Sequence, residues 1–360
     1  MSGFERAREI LEAGISGGVF PGCAVDVGSA ASAAWQDAFG RLTYEDDAAP
    51  ARVSTVYDLA SLTKPVATAT LAMRLVEARA LALDDALAAH NPLWRGGGRD
   101  PVTLRDLLEH ASGLPAWAPL WQRGCGAEQV AALAARTPLE YEPRSRSVYS
   151  DLGFILLGAA LERTAGAPLD RQFAQVAASL APDAPADFVL TYRPSALQAP
   201  SVAPTRVADS RGRLLVGEVD DDNAWAMGGV AGHAGLFGTA GAVGAFARSV
   251  LRALAGDARA ERQIAIAATL RAFLAPSGVP GSSRSLGWDL MRPSSSCGSR
   301  MSASAFGHTG FTGTSLWIDP ARDFYAVLLS NRVYPKAGPG DAMQALRRAF
   351  HDAVAAAIGE

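Results

Sequence analysis

The strand-forming segments of this chain lie near its two ends, and helix and loop dominate the stretch between them. On the N-terminal side, CAVDVG (23–28) and AAWQDAFG (33–40) read as two short strands joined by a small-residue turn. On the C-terminal side, LGWDLM (286–291), TSLWID (314–319) and FYAVLLSN (324–331) carry the same signal, the last two parted by the turn Pro320-Ala321-Arg322-Asp323. The simplest architecture brings both ends into one antiparallel sheet. Flanking helices are supplied by Phe4, Ala7, Ile10, Leu11 and Ile15 on one face of a helix ending near Gly14 to Gly18. A closing helix at about 340–358 carries Met343, Leu346, Phe350, Val354 and Ile358 on one face. Helical patterns fill the middle at 64–80, with Pro65 in the first turn, and from Thr103, a cap for Leu104, Leu107 and Leu108, with Gly113 beyond the end. Others cover roughly 127–136, 151–165, 168–180, 242–255 and 259–274. Pro182, Pro185, Pro194, Pro200 and Pro204 break regular structure over 181–206, which reads as a long surface excursion. The expectation is an α+β fold. Residues 1–80 and 225–360 form a lobe holding the sheet, and residues 81–224 form a mainly helical lobe.

Composition narrows the function. Hydrophobic content of 49% and charged content of 19% suit a globular chain with a sizeable core, and the 360-residue length suits two lobes. A net charge of −3 offers no footprint for nucleic acid or anionic membrane. Cys23, Cys125 and Cys297 are odd in number, far apart and outside any Cys/His cluster, which argues against a disulfide framework and a metal site. MSGFERAREILEAGI carries three acids and no continuous apolar run, unlike a signal peptide, and no apolar stretch reaches membrane-spanning length. A cytoplasmic protein without membrane partners is expected; oligomeric state stays open. The glycine-rich stretch 228–241 lacks the preceding strand and following acid of a dinucleotide site. Asp220, Asp221 and Asp222 read as a solvated acidic loop. His233 reads as a structural loop histidine without an acid partner, and His90, His110 and His351 as surface or core residues. Trp117 and Trp121 read as packing, and Asn223 and Trp225 as cleft-lining.

One position stands out chemically. Lys64 is one of only two lysines among 33 basic residues, and it follows Ser61 by three. On a helix that spacing puts both side chains on one face, with the serine in a first turn whose backbone N–H groups point outward. An arginine cannot serve as a base, whereas an amine can if its pKa falls from about 10.4 towards 7, a change of roughly 4–5 kcal/mol in protonation free energy. Ester or amide cleavage needs this combination of a nucleophile, a base and donors for an oxyanion, and it needs no cofactor or metal.

Further along, Tyr149-Ser150-Asp151 precedes an apolar helix and His308-Thr309-Gly310 stands beside the final strands. SxxK, then such a tyrosine triplet, then such a glycine-ended triplet is the order of penicillin-recognising serine enzymes. With YDLASLTK, LLEHASGLP (107–115), YSDLGF (149–154), GGVAGHAGLFGTA (228–240) and FGHTGFTGTSLWIDP (306–320), the chain resembles the class C β-lactamase-like serine hydrolases, from about residue 18 to 335. The resemblance implies a β-lactamase/transpeptidase-like fold and an acyl-enzyme on Ser61. It implies a base system of Lys64 and Tyr149, an oxyanion hole from the backbone N–H groups of Ser61 and Phe311, and substrate contacts from Asp151, His308, Thr309 and Gly310. Asp151 stands where many relatives have asparagine; ionised, it favours the ammonium form of Lys64 and leaves more of the base role to Tyr149. His308 replaces a lysine that binds the β-lactam carboxylate, and a histidine is only partly charged near neutral pH. An ester or amide substrate is therefore expected ahead of efficient β-lactam turnover. The rival expectation is a penicillin-recognising binding or scaffold protein that acylates with little turnover.

Overall fold

The computed structural model describes residues 3–181, 187–194, 202–338 and 340–358. Its strands are β1 (Gly22–Gly28), β2 (Ala33–Gly40), β3 (Tyr57–Asp58), β4 (Leu190–Tyr192), β5 (Val207–Ala208), β6 (Arg213–Leu214), β7 (Leu236–Gly238), β8 (Asp289–Leu290), β9 (Phe306–Thr309), β10 (Ser315–Asp319) and β11 (Phe324–Ser330). The two ends of the chain meet as expected. One antiparallel sheet runs β2-β1-β11-β10-β9-β8, and β1 pairs with β11 from Cys23 opposite Ser330 to Gly28 opposite Tyr325. The fold is α+β.

Alternation along the central strands sorts side chains between two cores. Cys23, Val25, Val27, Phe324, Ala326 and Leu328 face the terminal helices Glu5–Ser16 and Gly340–Ile358, against Leu11, Leu346 and Phe350. Ala24, Tyr325, Val327 and Leu329 face the helix Ala240–Leu254 through Phe246 and Val250. That second core continues without a break into the helices Leu104–Leu108, Asp151–Ala165 and Leu169–Leu180. Asp26 is also on this face, fully buried; it accepts hydrogen bonds from Tyr325 and Gln36, with Arg248 beside them.

Several elements depart from the local pattern, each for a tertiary reason. The strand expected at 286–291 shrinks to Asp289–Leu290, because Gly287 turns away at φ +83° and its N–H goes to the Leu108 carbonyl (3.0 Å). The helix expected at 259–274 is two, Ala258–Gln263 and Ala267–Leu274; the Ile266 and Ala267 N–H groups are taken by Glu77 (2.7 Å) and Glu261 (2.9 Å). The Thr103 helix has its capping box with Asp106 but stops at Leu108, and His110 follows in the left-handed region at φ +56°. The proline-rich excursion is not wholly irregular: β4 pairs with β7, which pairs with β3. Pro182, Pro185 and Pro200 lie outside the described residues. Among the described residues no single helix is long and apolar enough to cross a membrane.

Candidate active site

The small sheet β3-β7-β4 feeds the chain into the site. After Asp58, Ala60 takes a left-handed φ of +47°, uncommon for a residue with a Cβ. A tight 3₁₀ turn, Ala60–Leu62, then carries Ser61. A wide π-type turn, Lys64–Ala69, precedes the regular helix Thr70–Glu77. The uniform helix expected over 64–80 is thus corrected: Pro65 has no N–H to donate, Thr70 Oγ1 donates to the Pro65 carbonyl (3.3 Å), and Arg79 ends the run at φ +55°.

Ser61 and Lys64 nevertheless meet. Lys64 Nζ, fully buried, donates to Ser61 Oγ (2.9 Å), Asp151 Oδ1 (2.7 Å) and the His233 carbonyl (3.1 Å). Three acceptors match the three donors of an ammonium. Nζ also lies 4.6 Å from the centre of the Tyr149 ring and 5.7 Å from that of Phe154. Burial pulls the lysine pKa down, but the Asp151 carboxylate and the Tyr149 oxygen pull it up further, so it ends above its usual value. The expected unprotonated amine is therefore corrected to an ammonium, in the direction anticipated for an ionised Asp151. Tyr149 is partly exposed on the cavity wall; desolvation by its surroundings raises its phenol, Lys64 opposes, and the net shift is upward.

Opposite the serine, β9 ends at Thr309 and the chain turns back into β10. Gly310 makes this approach possible, since a Cβ there would stand 2.6 Å from the Leu59 carbonyl and 3.3 Å from Ala60 Cβ. Thr312 Oγ1 and Thr314 Oγ1 donate to the Asp58 and Leu59 carbonyls at 2.7 and 3.0 Å, locking the two loops together. The backbone N–H groups of Ser61 and Phe311 have no acceptor among the described residues. His308 is buried, and burial first, against the pull of Asp289, lowers its pKa to about 4. The partly charged histidine expected from sequence is thus neutral at pH 7, with Nδ1 on the Thr309 carbonyl (2.8 Å) and its ring 5.8 Å from Tyr149.

These groups line one cavity of about 1070 Å³. Ser61, Tyr149, Asp151, His308, Thr309, Gly310 and Phe311 are all on its wall, and Lys64 lies beneath its floor. The wall also holds residues that sequence reasoning passed over or misplaced. Arg284 sits 4.9 Å from the Tyr149 ring centre and pairs with Asp289; no local pattern marks it. His233, expected to lack an acid, has Asp221 Oδ1 2.8 Å from Nε2. The acidic loop is not solvated: Asp220 and Asp222 pair with Arg206, and Asp222 also with Arg211. Asn223 does not line the cleft, being fully buried with its side chain on Trp121 N and the Ala118 carbonyl, and Trp225 lies under Arg211 outside the cavity. Trp121 packs against the core as expected, whereas Trp117 stands exposed on the cavity wall. His110 is a core residue that takes the Ser150 N–H on Nδ1 (3.0 Å), its ring tilted against that of Tyr149 at 4.6 Å between centres.

Residues 7–350 match the family model described as Beta-lactamase. The chain is 32% identical over 320 residues to the protein named "Putative D-alanyl-D-alanine carboxypeptidase" of Escherichia coli K12, covering 80% of this chain and 72% of that one. By fold it is similar to a penicillin-binding protein homolog from Caulobacter crescentus, with a TM-score of 0.75 at 20% identity over 98% of both chains. It is similar also to EstCE1, a hydrolase with promiscuous acyltransferase activity, with a TM-score of 0.74 at 20% identity over 96% of this chain and 98% of that one. On a match that runs through nearly the whole chain, this protein belongs to the beta-lactamase family and is a serine hydrolase.

Proposed function

We propose that the protein cleaves an ester or amide through an acyl-enzyme on Ser61, with esterase or D-peptidase activity ahead of efficient β-lactam hydrolysis. The observation that carries this reading is the Ser61 hydroxyl, 2.9 Å from a fully buried lysine ammonium, on the wall of a large cavity. With Asp151 keeping Lys64 charged, the base is the phenolate form of Tyr149, scarce at neutral pH and supported by the adjacent ammonium. Tyr149 takes the Ser61 proton as Oγ bonds to the substrate carbonyl carbon. The oxyanion rests between the N–H groups of Ser61 and Phe311. On collapse the carbon–leaving-group bond breaks and Tyr149 protonates the departing alcohol or amine; water repeats the sequence to free the acid. The neutral His308 supplies no charge for a β-lactam carboxylate, which places cephalosporins below neutral esters. The site then lies between two lobes, 1–80 with 225–360 and 81–224, in a protein of the cytoplasm.

A panel of a chromogenic short-chain ester, a D-amino acid amide and a chromogenic cephalosporin, run on wild type and Ser61→Ala, tests this. The expected result is turnover of the ester or amide that vanishes in Ser61→Ala, with a transient acyl adduct by mass spectrometry. A lasting adduct without turnover would favour the penicillin-recognising binding or scaffold reading. Turnover surviving in Ser61→Ala would refute the mechanism.

A further inference from the structure

We propose that Asp58 is a positioning residue for the nucleophile, its ionised carboxylate holding the Ser61 turn in the reactive shape. The proposal rests on the acyl-enzyme reading above. Asp58 is 2% exposed, on the wall of the cavity, three residues before the serine. Its Oδ1 accepts the Ala60 N–H (2.8 Å) and its Oδ2 the Asp220 N–H (2.7 Å). The first bond clamps the one residue of the turn whose backbone is sterically costly, Ala60 at φ +47°. Ser61, whose N–H has no acceptor among the described residues, follows directly. The second bond reaches the segment on the base side: Asp221 is next, Asp221 holds His233, and the His233 carbonyl holds Lys64. One carboxylate therefore ties the nucleophile's turn to the support of the ammonium.

The charged groups facing Asp58 are Asp220 and Asp221 from that segment. Arg206 pairs with Asp220, Arg332 feels the Asp220 charge, and His233 sits against Asp221. Burial, then the Asp220 charge, raises the Asp58 pKa to about 7, against the two N–H bonds. Protonation places a hydrogen on one oxygen and weakens its hold on one N–H. Below that pH the turn loosens, and activity falls for a reason separate from the titration of Tyr149 and Lys64.

The test is the pH dependence of kcat and kcat/KM on a neutral ester in wild type, Asp58→Asn, Asp151→Asn, Ala60→Gly and Asp58→Asn/Ala60→Gly. Wild type should show a rising limb near pH 7 and a second above it. Asp58→Asn should lower kcat by about 10- to 100-fold with KM little changed and should lose the limb near neutrality. Asp151→Asn should move only the upper limb. Glycine adopts left-handed φ without support, so Ala60→Gly should restore part of the kcat lost in Asp58→Asn and flatten the neutral limb by itself. A neutral limb that survives in Asp58→Asn, or that moves with Asp151→Asn, overturns the proposal, as does an Ala60→Gly that rescues nothing. If Asp58→Asn does not fold by circular dichroism, the Asp151→Asn and Ala60→Gly profiles decide. Ser61→Ala on the same ester separates failure of the acyl-enzyme reading, shown by remaining turnover, from failure of the Asp58 role.

Discussion

Asp151 sits 2.7 Å from a fully buried ammonium that no other side chain neutralises among the described residues. An uncompensated buried charge is costly, so the lysine and the carboxylate depend on one another. Asp151 also raises the Tyr149 phenol. Replacing it with asparagine removes an upward pull on both groups. Lys64 and Tyr149 then lose their protons at lower pH, and the upper of the two rising limbs of kcat/KM for the ester moves to lower pH in Asp151→Asn. Tyr149→Phe keeps the ring against His110 and Lys64 but removes the proton carrier. Its kcat should fall by about 10²–10⁴-fold, measured under saturating ester; near-normal activity would move the base role elsewhere. These side chains are legible in sequence because serine, lysine and tyrosine are chemically distinctive. Arg284 is not, because its place beside Tyr149 is set by the loop before β8 and by Asp289.

At the scale of elements, the glycine-rich segment before β7 packs against the helix Asp151–Ala165 at a glycine–glycine contact. A Cβ on Gly158 would stand 3.0 Å from Gly232 N, and one on Gly232 would overlap the Phe154 carbonyl oxygen. This approach places the Gly232 carbonyl on Thr68 Oγ1 (2.6 Å) and the His233 carbonyl on Lys64. Gly232→Ala must push the segment off the helix. It should cost roughly 2–4 kcal/mol in urea denaturation and lower kcat more than it raises KM, because the ammonium loses a partner. The sequence displays the glycines but not their purpose, since a run of small residues does not say which helix it will press against. The start of the Thr103 helix was readable from its cap, whereas the break between Ala258–Gln263 and Ala267–Leu274 depended on a distant acceptor, Glu77 for the Ile266 N–H.

For the molecule as a whole, the closing helix does more than cover the sheet. Arg347, almost fully buried, donates to the Gly310 (2.7 Å) and Thr314 (2.8 Å) carbonyls, on either side of Phe311. Burial lowers its guanidinium to about 9, which leaves it charged at neutral pH. The C-terminus thereby fixes the loop that carries one proposed oxyanion donor. Arg347→Met preserves the apolar stem but removes the charged donor shared by the two carbonyls, leaving each with one backbone N–H, that of Gly313 on Gly310 (3.1 Å) and that of Gly310 on Thr314 (2.8 Å). Stability should drop by about 2–3 kcal/mol by urea unfolding, with a loss of kcat on the ester that thermal stabilisers do not restore.

The sequence by itself determined the strand segments 23–28, 33–40, 314–319 and 324–331, the two terminal helices and the coupling of Ser61 to Lys64, because these depend on periodicities and spacings that span a few residues. Tertiary structure alone decided which form the lysine takes, which histidine is neutral and which acids are paired. Asp151 reaches Lys64 across 87 residues of chain, and Asp58 reaches the Asp220 N–H across 162. Charge and desolvation act through distance in space, and a linear pattern carries no record of which distant segments the fold will bury side by side.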